Sequence, residues 1–327
     1  MRPVKFNVGL PNGDFANIST FAKRAEELGY YSISIDDHFF MRNMFGTPDL
    51  PHLECYTVLA ALATATRTIR LAPLVTAMSY RTPQLLAKII ATLDNISGGR
   101  LIAGLGAGWF KEEYDAYNYP YPSNAERMEQ LADGIKVLKA MWTQEAATYS
   151  GRFFKVQKAF CNTKPVQKPY PPIMIGGGGK RILQIAAQEA DILNLNPPVT
   201  EGVVNLTEAF KFDKPEVKRR IAMVKEFVKA AGRQPDALEI SGGGFVIAAK
   251  DRATADAMIT ATAQAVGIAD VEAARNSPLV LAGTFEDLKR ELAWRVENFG
   301  MTYYFLNFQS LDAMEMFAKD VMPSFTR

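Results

Sequence analysis

The chain has 327 residues, 48% of them hydrophobic, and a net charge of +2 from 37 basic and 35 acidic side chains. This composition supplies a large core and gives no electrostatic reason to expect a nucleic-acid or membrane partner. Two cysteines argue against a disulfide framework, and two histidines make a metal site unexpected. The first residues lack the apolar run of a secretory signal, and no segment approaches about 18 consecutive apolar residues. We therefore expect a soluble cytoplasmic protein without a nucleic-acid or membrane partner.

Strand and helix patterns alternate along nearly the whole chain. Amphipathic helices separate eight predicted strands, which cover 5–10, 30–36, 68–76, 100–106, 172–175, 190–196, 238–249 and 302–308. This alternation requires a mostly parallel sheet, and eight units close a (β/α)8 TIM barrel. An open doubly wound sheet is the alternative, but the first strand-to-helix turn lacks its GxGxxG pattern. We predict an α/β fold with a single barrel domain over residues 1–327.

Three segments are longer than a barrel needs. They follow the second, fourth and sixth predicted strands and cover 38–54, 144–170 and 195–213. Because each lies near the predicted active face, we expect these insertions to form lids around the entrance.

The second strand ends in Asp37, His38 and Phe39. Functional groups of barrel enzymes lie at the C-terminal ends of the strands, so this cluster is expected on the active face. His38 is the candidate acid or base, and a carboxylate beside it would fix its tautomer. A cap at Asp37 and a wall position for His38 explain the same residues equally well.

Two strand exits are rich in glycine. The fourth strand ends in GLGAGW, where Gly106 and Gly108 allow close backbone approach and Trp109 offers an apolar wall. The fifth strand leads through Gly176–Gly179 into a helix, whose first N–H groups and dipole favour an anion. Two such strand ends in one chain indicate a cofactor that carries a phosphate.

Two neighbouring segments reach the same predicted face. Pro73 lies inside the third strand, where the missing ladder donor indicates a bulge. Glu112 and Glu113 follow Trp109, and we expect them to be solvated residues of a helix start.

Three segments carry a family resemblance. They are AEELGYYSISIDDHF at 25–39, YRTPQLLAKIIATLDNISGGRLIAGLGAGWFKEEY at 80–114 and PPIMIGGGGKRILQIAAQEADI at 171–192. Together they resemble the luciferase-like monooxygenase superfamily, specifically its members that depend on coenzyme F420, a deazaflavin. None of the three segments alone is as specific as their combination.

The resemblance implies a TIM barrel that holds a tricyclic ring across its C-terminal mouth. It implies a non-prolyl cis peptide behind the ring, at the matching positions Leu74 and Val75. The residues implied to bind the cofactor phosphate are Gly106, Ala107, Gly108, Gly176, Gly177, Gly178 and Gly179. A homodimer is implied in the same way.

The resemblance also implies roles for the residues at the end of the second strand. His38 would face the reactive side of the ring, and Asp37 would orient it. Trp109 stands where the sugar-phosphate dehydrogenases of the family carry a glutamate, so an apolar substrate wall of Trp109 and Phe39 is expected.

The resulting hypothesis is an oxidoreductase that transfers a hydride between the deazaflavin and a partly apolar organic substrate. FMN in the same pocket would instead support a monooxygenase that uses oxygen. A non-catalytic cofactor-binding protein is a further alternative. A phosphate-handling isomerase or lyase would need a lysine or a carboxylate pair inside the mouth, and the strand ends offer no obvious lysine. The substrate and the direction of hydride transfer stay open.

Overall fold

The computed structural model describes residues 2–40, 51–199, 202, 209, 212–265, 267, 268 and 270–326. The predicted insertions 38–54 and 195–213 therefore lie partly outside the described residues. The strands are β1 (Lys5–Gly9), β2 (Ser32–Ile35), β3 (Arg70–Pro73), β4 (Thr76–Ala77), β5 (Ala103–Gly106), β6 (Ala146–Ser150), β7 (Lys155–Phe160), β8 (Ile173–Gly176), β9 (Ile192–Asn194), β10 (Glu239–Ala249), β11 (Val280–Thr284) and β12 (Tyr303–Phe308).

The parallel strands form a barrel with eight positions, which confirms the predicted fold class. Their hydrogen-bonded order is β3, β2, β1, β12, β10, β9, β8, β5 and β4. β3 pairs with β2 as far as Pro73 and β4 pairs with β5 from Thr76, so these two short strands share one position. A parallel bridge between Leu71 of β3 and Leu101, just before β5, closes the barrel. β11 extends the edge of β10 and is an additional strand that the sequence patterns did not predict.

Helices follow the strands around the outside of the barrel. They are α1 (Phe15–Glu27), α2 (Cys55–Ala65), α3 (Pro83–Ser97), α4 (Lys111–Ala116), α5 (Asn124–Thr143), α6 (Lys180–Glu189), α7 (Lys214–Ala230), α8 (Arg252–Ala265), α9 (Val271–Asn276), α10 (Phe285–Phe299) and α11 (Leu311–Asp320). Among the described residues, no helix combines the length and the apolar character needed to cross a membrane.

Local sequence signals set the ends of the helices that surround the site. The Thr82 side chain caps α3 and Pro83 follows it, while Gly98 ends this helix in the left-handed conformation at φ 67°. At α5, Ser123 and Glu126 form a reciprocal capping box. These signals fix where each helix starts behind the strand ends that carry the site.

A compact apolar cluster fills the inside of the barrel. Its buried members are Ala72, Ile102, Met174, Ile192, Tyr303 and Phe305. Leu74 and Val75 pack on this cluster while only partly buried themselves. The interior is therefore a packed core whose upper layer ends at the junction of β3 and β4.

The insertion at 144–170 does not form a lid. It contains the antiparallel hairpin of β6 and β7. The segment after this hairpin lies along α3: Lys88 donates to the carbonyl of Asn162 at 2.5 Å, and Gln167 donates to Asp94 at 2.8 Å. The lid expectation, drawn from the length of the insertion, is therefore wrong for this segment.

Candidate active site

A cavity of about 650 Å³ opens at the C-terminal ends of the barrel strands. It brings together strand ends that are far apart in the sequence. Its wall includes Asp37, His38, Leu74, Val75, Gly106, Ala107, Gly108, Trp109, Arg127, Gly176, Gly177, Gly178, Gly179, Ile182, Asn194, Asn196, Phe305 and Asn307. Residues 196–199 also line it, so the start of the predicted 195–213 insertion reaches the entrance. The two glycine-rich turns thus face one common space.

The junction of β3 and β4 forms one wall of the cavity. The peptide between Leu74 and Val75 is cis, as the resemblance implied. A Cβ atom added at Gly106 would lie 2.7 Å from Cγ2 of Val75, and one added at Gly176 would lie 2.9 Å from the same atom. Both glycines are therefore needed to leave room for the Val75 side chain.

The glycines of the two turns differ in how much space surrounds them. A Cβ atom at Gly108, where φ is 76°, would lie 1.8 Å from Oη of Tyr114. At Gly178 it would lie 2.0 Å from the carbonyl oxygen of Asn196. Gly179 has nothing within 4 Å of such an atom, and it starts α6 without a side-chain cap. The N-terminus of α6 therefore has open space in front of it, which suits a phosphate group.

His38 is held between a carboxylate and two aromatic rings. Its Nδ1 lies 2.7 Å from Oε2 of Glu113. The rings of Trp109 and Phe110 meet the imidazole edge to face, with centroid distances of 5.4 and 5.8 Å. Among the described residues Nε2 has no hydrogen-bond partner, which leaves it available to the cavity.

Glu113 is buried, so the expectation that it is a solvated residue of a helix start is wrong. Oε2 also accepts a hydrogen bond from Tyr80 Oη at 2.6 Å, and Oε1 accepts the backbone N–H groups of Phe39 and Phe40. Burial raises the pKa of this carboxyl group, but the hydrogen bonds and the nearby imidazole outweigh burial and hold the pKa below its usual value. Its neighbour Glu112 is exposed, as expected.

Asp37 does not contact the imidazole of His38. Its carboxylate accepts hydrogen bonds from both terminal nitrogens of Arg81, at 2.7 and 2.9 Å. Arg81 also donates to Glu54 at 2.6 Å. These contacts do not support the orienting role that the resemblance implied for Asp37, and the carboxylate hydrogen-bonded to His38 is that of Glu113. Asp37 instead ties the end of β2 to the loop before α3.

The predicted aromatic wall is only partly present. Trp109 lines the cavity, but Phe39 is not among the residues of its wall. The ring of Phe39 packs against Tyr80 and Tyr117, with centroid distances of 4.8 and 4.5 Å. Phe39 thus lies beside the cavity and packs on these rings, and its assignment to the substrate pocket stays a prediction.

Sequence reasoning did not find Arg127, which lies in the cavity wall beside the first glycine turn. Its Nε donates to the carbonyl of Gly108 at 3.2 Å, and its guanidinium lies 4.1 Å from the ring centroid of Tyr121. No carboxylate in the described part of the chain forms an ion pair with it. Arg127 lies in the first turn of α5, just after the capping box of Ser123 and Glu126.

The chain is similar to known proteins of one family. The model of the luciferase-like monooxygenase family matches residues 4–299. The chain is 28% identical over 220 residues to an FMNH(2)-dependent dimethylsulfone monooxygenase of Pseudomonas putida, covering 67% of this chain and 55% of the relative. It is 31% identical over 194 residues to a 5,10-methylenetetrahydromethanopterin reductase of Archaeoglobus fulgidus, covering 59% and 53%.

The chain thus spans about half the length of the curated relatives it matches. Among solved structures, a coenzyme F420-dependent tetrahydromethanopterin reductase from Methanopyrus kandleri superposes with a TM-score of 0.80. The superposition covers 99% of this chain and 100% of that one at 22% sequence identity. At this identity the likeness shows the fold alone.

Proposed function

The chain belongs to the luciferase-like monooxygenase family, and we propose that it is an oxidoreductase that uses a deazaflavin or flavin cofactor. The preferred cofactor is coenzyme F420, with hydride transfer to or from a small, partly apolar organic substrate. One observation carries the proposal: both glycine turns, the β3–β4 junction and His38 meet in a single cavity of about 650 Å³. A volume of this size is typical of a small-molecule or cofactor site.

The residues present fit such a cofactor. Leu74 and Val75 offer a partly buried apolar surface on which a flat ring can rest. The open space before α6 at Gly179 and the guanidinium of Arg127 would hold the phosphate. When bound, the cofactor ring supplies the hydride chemistry, and the protein supplies orientation and charge. His38 is placed to move a proton, and Trp109 covers the space beside it with an apolar surface.

An FMN-dependent monooxygenase is the second candidate, favoured by the similarity to the dimethylsulfone monooxygenase. The two candidate functions are separated by titrating the purified protein with F420 and with FMN, each oxidised and reduced. Binding is followed by cofactor fluorescence. We expect F420 to bind at least about tenfold more tightly. Tight FMN binding with substrate-dependent oxygen uptake would establish the second candidate instead. Failure of both cofactors to bind would refute the site assignment.

The proposal includes a homodimer formed through α3. Leu85 and Ile96 are 54% and 46% exposed and lie on the same side of α3 as the partly buried Ile89. Phe160 and Val166, 62% and 48% exposed, belong to the neighbouring hairpin segment. Apolar side chains grouped in this way favour burial against a second copy. Light scattering should give a dimer for the native chain and a monomer for Leu85→Glu with Ile96→Glu; a native monomer contradicts the proposal.

A cytoplasmic location is also proposed, on the basis of the cysteines. Cys55 and Cys161 are both free thiols and both buried. Free thiols fit a reducing compartment. Cell fractionation with an antibody to the chain tests this, and recovery outside the cytoplasmic fraction would contradict it.

A further inference from the structure

We infer that Glu113, together with Tyr80, is a positioning residue that holds His38 as a cationic proton donor toward the cavity. The site would then serve reduction of a polar double bond, such as a carbonyl or an imine, in which a heteroatom must receive a proton. The inference rests on the proposed function and adds to it the direction of transfer and the class of acceptor.

Hydrogen bonds hold the carboxylate of Glu113 in a fixed position. Oε2 of Glu113 lies 2.7 Å from Nδ1 of His38 and 2.6 Å from Oη of Tyr80. Oε1 accepts the N–H groups of Phe39 and Phe40, so both oxygens are occupied. A carboxylate that accepts several donors stays ionised and cannot rotate freely. Glu113 is thus a fixed negative charge next to the imidazole.

The imidazole of His38 is oriented by its neighbours. Because Glu113 is an acceptor, the nitrogen that faces it, Nδ1, carries a proton. The edges of Trp109 and Phe110 restrict rotation of the ring about its bonds. Nε2 is then the nitrogen that can exchange a proton with a molecule in the cavity.

The charge of the ring depends on the groups around it. Burial lowers the pKa of His38, but the hydrogen bond and charge of Glu113, with the charges of Asp36 and Asp37, outweigh burial and raise the pKa above its usual value. The charged groups and histidine that surround the ring in the described part of the chain are Glu113, Asp36 with His52 at 2.9 Å, and Asp37 with Arg81. Arg81 pairs with Asp37 and offsets part of its charge, and among the described residues Glu113 is the carboxylate that hydrogen-bonds to the ring. Glu113 is therefore the largest of the contributions that raise the pKa of His38.

The reaction balances with His38 as the donor. The hydride of the new C–H bond would come from the reduced cofactor, and the two-electron oxidation of that cofactor would balance the reduction of the substrate. The electron pair of the double bond moves to the heteroatom, which takes the Nε2 proton of His38. The neutral imidazole regains a proton from solvent, and Glu113 keeps its charge throughout.

The test uses nuclear magnetic resonance on the protein without cofactor, labelled at histidine. The chain has two histidines, His38 and His52, and the signal lost in His38→Gln identifies the first. We expect His38 to titrate above its ordinary value. Glu113→Gln keeps the shape of the side chain but removes its charge, so the midpoint should move to lower pH. Glu112→Gln, the exposed neighbour, is the matched control and should leave the midpoint unchanged.

Tyr80→Phe provides a change of the opposite sign. Without the Tyr80 hydrogen bond, more negative charge stays on Oε2 of Glu113, and the midpoint of His38 should move to higher pH. A purely structural role would not shift the midpoint in opposite directions in the two variants. This variant also keeps the inference testable if Glu113→Gln does not fold.

The rate of steady-state substrate reduction should depend on pH with the same midpoints as the titration of His38. Turnover should fall as pH rises through the midpoint of His38, and Glu113→Gln should lower turnover near pH 7.5 by roughly tenfold, with recovery on acidification. The Kd of the cofactor should stay within about threefold. An unchanged His38 midpoint in folded Glu113→Gln overturns the inference. Absence of cofactor binding by the native protein instead overturns the proposed function, and the two failures are distinguishable.

Discussion

Replacing Gly179 with alanine tests whether the start of α6 holds a phosphate group. Gly179 has φ −68° and ψ 151°, a conformation that alanine adopts without strain. The added methyl group would meet no protein atom within 4 Å. The fold therefore tolerates the change, and the methyl group occupies the space that a phosphate would need.

The magnitude follows from the hydrogen bonds that the methyl group blocks. Loss of one charge-assisted bond between a phosphate and the N–H groups of α6 costs about 1.5 to 3 kcal/mol, or roughly 10- to 150-fold in Kd. The cost to the fold is smaller, because alanine is a poorer N-cap residue than glycine. The substitution should lower the free energy of unfolding by about 0.5 to 1 kcal/mol. Binding and stability are thus affected to different degrees.

The assay compares ligands with and without the phosphate. FMN is paired with riboflavin, and F420 with its deazaflavin core lacking the phosphate and tail; each is titrated into the native protein and Gly179→Ala. The affinity loss should appear for the phosphorylated member of each pair and be nearly absent for the other. An equal loss for both members, or none for either, would refute the placement of the phosphate at α6.

Three further predictions concern the remaining parts of the site and the fold. His38→Ala should lower turnover about 10²- to 10⁴-fold with cofactor affinity nearly unchanged, and steady-state kinetics with unaltered turnover would remove His38 from the mechanism. Asp37→Asn leaves the Arg81 charge without its buried partner, so urea denaturation should show a loss of about 3 kcal/mol; a change below about 1 kcal/mol contradicts the pairing. Glu26 accepts the N–H groups of residues 67, 68 and 69; burial raises the pKa of Glu26, but these bonds lower it overall. Glu26→Gln should therefore destabilise the protein at neutral pH, and the difference should disappear in acid as native Glu26 becomes protonated; a pH-independent difference contradicts this.

Features encoded by the backbone could be predicted from the sequence. Pro73 indicated a bulge in the third strand, and the structure interrupts the strand there, between β3 and β4. The runs around Gly106 and Gly176 indicated two open turns, and both line one cavity. Such features depend on the conformational limits of proline and glycine, which act locally and do not require knowledge of the partners.

Features that depend on side-chain partners could not be predicted. Glu112 and Glu113 are neighbours of the same type, yet a rotation of about 100° along α4 exposes one and buries the other. Asp37 pairs with Arg81, which lies 44 residues away in the sequence. This ion pair occupies the carboxylate that was expected to orient His38. The length of 144–170 suggested a lid, but contacts such as Gln167 with Asp94 place the segment on α3.

The contact of Val75 with Gly106 and Gly176 links the junction of β3 and β4 to the ends of β5 and β8. A larger residue at either glycine is compatible with the barrel only when residue 75 becomes smaller at the same time. Mutational effects at these positions are therefore non-additive, and single-site scans will underestimate what the mouth of the barrel can accept. A library that varies all three positions together can reshape this wall of the cavity along routes that stepwise substitution does not reach.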